Sequence, residues 1–213
     1  MPGFLALLAA LLLAVPEAEA CECPRRSPSD KADLNAADTV FSGTVLSSTP
    51  SADGTGQVHR FEVSRLYKGS IQRVTEVVTT GGKSCGFPFE VGKSYLVFST
   101  GHGPLTATTC GGTRGLERAS GKGPTLKSAP CALALEPALG EAAKAATRMF
   151  KKDFAQHPST HVRLHCGENG SARVVYRSRR IPAEQLSMVR DAIEADVMLN
   201  GKTGKVERVF VGP

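Results

Sequence analysis

Six cysteines hold most of the reactive chemistry of this 213-residue chain. Cys21 and Cys23 stand one residue apart, and Cys85, Cys110, Cys131 and Cys166 are spread over the rest. Cysteines in even number make a disulfide framework in an oxidising compartment, whereas Cys-x-Cys can also hold zinc. The leader described below favours the first use. His157, His161 and His165 recur every fourth residue and are followed by Cys166. On one helix that spacing would aim three imidazoles at a metal, but Pro158 breaks such a helix. The expectation is a loop histidine followed by two strand histidines. Arg177, Arg179 and Arg180 concentrate charge and read as a solvated strand end. No Gly-x-Ser-x-Gly, His-Glu-x-x-His or Walker sequence occurs, and the Gly-rich stretch 111–123 lacks a strand-to-helix setting. The expected protein is therefore not an enzyme and needs no cofactor.

The cysteine framework fits the first twenty residues. Phe4 to Val15 is almost wholly apolar, too short to span a bilayer at about 20 residues, and is followed by Pro16 and Ala18-Glu19-Ala20. This reads as a signal peptide over 1–20, cleaved after Ala20. The expected location is secreted, extracellular or periplasmic, with no transmembrane segment after signal removal. Cys21 would then be the first residue, with a free amine. A lipoprotein anchor on Cys21 is the competing use, disfavoured by Ala18 and Glu19 where such sites want a Leu-like and a small residue. Loss of Glu17 and Glu19 would leave 26 Lys+Arg against 18 Asp+Glu, a charge of +8. No aromatic-interleaved basic stripe accompanies that charge, so no nucleic-acid partner is expected.

Strand patterns must position these groups. Thr39–Ser47 is β-branched and apolar, with Gly43 as a bulge or bend. Ser48–Gln57 reads as a loop. Val58–Tyr67 points Phe61 and Val63 inward and ends at Lys68-Gly69. Arg73–Thr79, Ser94–Ser99 and Leu105–Cys110 complete five short strands, the pattern of a small closed barrel or sandwich. Gly111 to Pro130 reads as a linker or long surface connection. Pro137–Phe154 has helical spacing at Leu139, Ala142, Ala146, Met149 or Phe150, and Phe154. His161–Cys166 and Ala172–Arg177 flank a hairpin turn at Gly167–Gly170. A second helix is expected from Pro182, with Leu186, Val189, Ile193 and Val197 on one face, then a last strand over Lys205–Val211. The fold class is mainly β, followed by a small α-β-β-α-β region.

Several of these segments together resemble a known domain. Cys21-Glu22-Cys23-Pro24, the run Ala37 to Val45, Phe61-Glu62-Val63, Lys68-Gly69, Ser84-Cys85-Gly86, Gly92 to Phe98 and Cys110 are similar to the netrin-like (NTR) domain. Their order resembles the N-terminal domain of the tissue inhibitors of metalloproteinases. The resemblance covers roughly Cys21 to Thr113. It implies an OB-like five-stranded barrel over 21–117, a linker over 118–130 and an α+β region over 131–213. It also implies the bridges Cys21–Cys85 and Cys23–Cys110, which leave Cys131–Cys166 by elimination.

The resemblance implies a function as well. A secreted inhibitor would place the free amine and carbonyl of Cys21 on the catalytic zinc of a partner metalloprotease. Glu22 would enter the specificity pocket. Cys23, Pro24, Arg25, Ser84, Cys85 and Gly86 would flank the cleft. The alternative expectation is a non-inhibitory NTR module that binds another extracellular protein or an envelope polymer.

Overall fold

A computed structural model describes residues 21, 23, 29–80, 85–116, 126–150, 160–178 and 193–211. The protein is mainly β, with antiparallel pairing at all but one junction. The strands are β1 (Thr39–Pro50), β2 (Gly56–Ile71), β3 (Val74–Thr80), β4 (Ser94–Ser99), β5 (Leu105–Thr106), β6 (Arg114–Leu116), β7 (Leu133–Ala134), β8 (Thr160–Cys166), β9 (Ser171–Ser178), β10 (Ile193–Asn200) and β11 (Val206–Val211). The helices are α1 (Asp30–Ala36) and α2 (Leu135–Phe150).

The 16-residue strand β2 is the spine. Its length lets successive stretches serve different partners. Gln57 to Lys68 pairs with β1, Gly56 to Glu62 also pairs with β3, Arg65 and Leu66 pair with β7, and Gly69 to Ile71 pairs with β8. Beyond β8 the sheet continues through β9, β10 and β11, and beyond β1 it continues through β4 to β6. Pairing with β1 ends and pairing with β8 begins at Gly69. Val40 opposite Lys68 is the last pair with β1, and Gly69 opposite Cys166 is the first with β8. Gly69 has φ +84°, and a Cβ there would overlap the Asp38 carbonyl oxygen. Only glycine combines that backbone conformation with so close an approach.

Two apolar clusters hold the sheet. The larger runs from Phe41, Phe61 and Leu66 through Leu133 and Ala142 to Leu164, Val174 and Val197, so both halves of the chain share it. Helix α2 contributes Leu135, Ala138, Leu139, Ala142, Ala143 and Ala146, a stripe of mostly small side chains that lets the helix lie close to its neighbours. The smaller cluster, on Leu34, Val40, Tyr67, Leu96, Phe98, Leu126 and Ala129, seats α1. Ser29 caps α1 by accepting a hydrogen bond from the Ala32 amide (3.2 Å).

Several expectations change. The ladder does not close into a barrel. β5 pairs with β3, and its other side meets the end of β4 at one isolated bridge, Thr100 opposite Thr106. Pro104, just before β5, has no amide to extend a ladder. The expected strand Leu105–Cys110 shortens to Leu105–Thr106. The expected loop Ser48–Gln57 shrinks to a tip at 51–55, because Ser48 to Pro50 remain paired with β2. Within the expected linker, Arg114–Leu116 is a strand on β4, and Leu126 and Ala129 are buried. Met149 is exposed rather than on the buried face of α2, and Phe154 lies outside the described residues.

The expected second helix is corrected in its described part. Ile193 and Val197 lie on strand β10, whose Ala195, Val197 and Leu199 enter the core while Asp196 between them is buried against Arg173. A spacing of four satisfies a helix face and a strand face alike, so that pair could not discriminate. Leu186 and Val189 lie outside the described residues. Helix α1 was not anticipated. Gly43 does sit at a register shift between β1 and β2, as a bulge requires.

Replacing Gly69 by Ala should destabilise the protein by about 2–3 kcal/mol, since the positive φ and the overlap with Asp38 act together. Urea unfolding of the variant against wild type measures this. An unchanged midpoint would show that β2 does not need its glycine at the exchange.

Candidate functional site

Two disulfides fasten the first two cysteines to a single ribbon. Cys21 is bonded to Cys85 and Cys23 to Cys110, with Cα–Cα distances of 5.4 and 5.3 Å. The third bond, Cys131–Cys166, ties the segment before β7 to the end of β8. The ribbon is built from the segments around Cys85 and Thr109. Gly86 bridges Thr108, the Thr109 amide donates to the Cys85 carbonyl (2.8 Å), and the Phe87 amide donates to the Ala107 carbonyl (3.4 Å). The Thr109 hydroxyl also donates to the Cys85 carbonyl (3.2 Å) and lies 3.4 Å from the Cys21 sulfur. Each disulfide closes a long loop, worth on the order of 4 kcal/mol in the chain-entropy description.

The local backbone is specialised at this point. Cys85 has φ +58°, left-handed backbone that a non-glycine residue adopts at a cost of roughly 1–3 kcal/mol. Its disulfide and the two donors on its carbonyl hold it there. Gly86 lies flat against the end of β3, where a Cβ would overlap the Thr80 carbonyl oxygen.

Below the ribbon lies a bed of aromatic rings. Phe87 and Phe89 follow Gly86 directly. Phe89 meets Phe61 at 4.9 Å and Tyr95 at 5.0 Å, both edge to face, and Phe87 meets Tyr95 at 5.6 Å. The Tyr95 hydroxyl accepts from the Glu90 amide at 2.9 Å. Edge-to-face pairs are worth about 0.5–1.5 kcal/mol each beyond their burial, so the segment after Cys85 is rooted in the core. His59 completes the bed, 5.0 Å from Phe89. Its Nδ1 is 2.7 Å from the Ser48 hydroxyl and its Nε2 2.9 Å from the Thr79 hydroxyl. A neutral imidazole satisfies both, donating at one nitrogen and accepting at the other. Burial pushes its pKa below the ordinary 6.5.

Of the sequence-predicted site residues, Cys21, Cys23, Cys85 and Gly86 come together, and both N-terminal cysteines are exposed. Glu22, Pro24, Arg25 and Ser84 lie outside the described residues. Thr109 was missed, although its position beside Cys110 was the available signal. A cleft of about 210 Å³ adjoins Cys110, lined by Asp33, Ala37, Phe98, Thr100, Thr106 and Thr108 among others. It is smaller than the 300–1,000 Å³ typical of ligand pockets. The sulfurs of Cys21, Cys85 and Cys110 lie within 4.8 Å of one another. All three are in disulfides, so they offer no thiolate to a metal. His161 and His165 fall on β8 as expected, and His157 lies outside the described residues.

The disulfides suit an oxidising environment. Among the described residues no helix is long and apolar enough to cross a membrane. No protein-family model matches the chain, and no curated protein matches it significantly.

The buried imidazole makes a pH dependence. His59 has a folded pKa below its unfolded value near 6.5, so the unfolded state binds more protons on acidification. Its contribution is constant above that pH and is lost as pH falls through it. His165, exposed as a residue, shifts in the same direction through partial desolvation of its ring and then the positive charge of Arg173. The melting temperature should therefore fall between pH 7 and pH 5. In His59→Gln that fall should be shallower, and in His59→Gln/His165→Gln shallower still. Parallel curves for all three proteins would refute the assignment.

Proposed function

We propose that this protein is a secreted, non-enzymatic inhibitor of a zinc metalloendopeptidase, acting through the free amine and carbonyl of Cys21 after leader removal. One observation carries the reading. The disulfides of Cys21 and Cys23 end on the same ribbon, so the exposed Cys21, which leader removal would make the chain start, would be held where termini are ordinarily frayed. A start held in this way loses little freedom on binding. The strand arrangement supports an OB-like reading of 21–117: β1 pairs with β2 and β4, β2 with β3, and β3 runs parallel to β5.

The chemistry follows from the partner. A catalytic zinc keeps one position open for water. An α-amine with a pKa near 8 gives up its proton easily near neutral pH and can occupy that position, with the carbonyl of the same residue beside it. Inhibition would weaken as pH falls below about 8, because the amine must lose its proton to bind. Glu22 would enter the specificity pocket. A buried carboxylate is costly unless paired, so the matching protease would offer a cation there. Cys23, Pro24, Arg25 and the segment Ser84 to Gly86 would flank the cleft.

One added Ala before Cys21 tests this. Mass spectrometry first establishes that the mature protein starts at Cys21 with an unmodified amine. Against a panel of zinc endopeptidases, the extended form should lose on the order of 100-fold in inhibition while keeping its melting temperature. Equal inhibition by both forms, or none by the free-amine form, would leave the binding-module alternative in its place.

A further inference from the structure

The outer face of strands β8 to β11 carries more positive charge than the fold uses. Cross-strand partners project to the same side of a sheet. One row therefore holds His165, Arg173, Met198 and Arg208. The next holds Arg163, Val175, Asp196 and Phe210, and Arg177 lies one step further along β9. The opposite side buries Leu164, Val174 and Val197 in the core that includes α2. Arg163, His165, Arg173, Arg208 and Phe210 are exposed, and Arg177 is half-buried.

Among the described residues the cations of this face outnumber its acids, Asp196 and the Glu207 that accepts from Asn200. Asp196 pairs with Arg173 and is itself buried. Among the described residues, Arg163, Arg177 and Arg208 have neither a hydrogen-bond nor an ion-pair partner. Arg163, opposite Val175, and Arg177, two residues along β9, are diagonal neighbours on this face. Although Arg163 as a residue is exposed, partial desolvation of its guanidinium first, and Arg177 second, hold it below its ordinary pKa. Two guanidinium groups on one face with no paired carboxylate among the described residues work against folding, so an external anion would relieve the face.

We propose that this face binds an anionic polysaccharide, whose sulfate or carboxylate groups pair with Arg163, Arg177 and Arg208. Guanidinium forks match both groups bidentately. The face spans three strand spacings, about 14 Å, enough for an extended chain to lie across it. Base stacking favours a nucleic acid only where several aromatic rings are displayed, and here Phe210 stands alone. The Cys131–Cys166 bond at the edge of this sheet also fits an oxidising compartment, where polysaccharides are the more accessible polyanions. The inference is independent of the inhibitor reading.

Heparin is the probe, titrated against the mature chain at several salt concentrations. Arg163→Glu/Arg177→Glu should weaken binding about tenfold or more and lower the salt slope by about two. Arg208→Glu, at an exposed position, should weaken it in the same direction and serves if the double variant fails to fold. Lys31→Glu/Lys127→Glu changes net charge equally but lies elsewhere, and should change affinity less than about twofold. Three results would overturn the proposal: no heparin binding by the folded wild type at low salt, an equal loss in the lysine control, or tighter binding to a single-stranded oligonucleotide or to phosphatidylglycerol vesicles than to heparin.

Discussion

The fold depends on one strand keeping four partners. β2 is long enough to pair with β1, β3, β7 and β8, but one strand has only two hydrogen-bonding edges. It must therefore change partner along its length. β7 and β8 take up positions past the reach of β3, on the stretch from Arg65 to Ile71. Gly69 stands where pairing with β1 ends and pairing with β8 begins, and its positive φ so close to the Asp38 carbonyl leaves no room for a Cβ. Through this stretch the C-terminal strands join the N-terminal sheet. The larger apolar cluster crosses the same junction, so pairing and packing reinforce one another.

The cysteine ridge draws on the same spine. His59 and Phe61 project from β2 into the aromatic bed beneath Phe89, and Val78 on β3 accepts from the Ala107 amide at 3.2 Å. The left-handed backbone at Cys85 is tolerable because rings below and hydrogen bonds beside it leave few alternatives. Cys21 and Cys23 are each tied to this base by a disulfide.

Much of this was legible from residue order. Ser94–Ser99 has the bounds expected of a continuous apolar run, and the hairpin β8–β9 follows from two alternating segments around Gly167–Gly170. The three disulfides pair as the family resemblance implies. The misses have physical causes. Ile193 and Val197 satisfy two periodicities at once. α1 is seven residues long, too short to show a clear stripe, and it is held mainly by burial of Leu34. Arg114–Leu116 becomes a strand because the edge of β4 is available to it, not because its residues favour one.

The sequence by itself determined what is chemically available: six cysteines for bridges, a leader-like start, alternating strands and an Ala-rich helix. These are properties of composition and of short-range spacing, and they are written within a few residues of one another. Only the tertiary structure decided which groups meet. It placed Thr109 beside Cys21, sealed His59 between two hydroxyls, and set Arg163 near Arg177, with neither paired to an acid among the described residues. Those relations depend on strand register over separations of tens of residues, and a one-residue slip would turn each side chain to the other face.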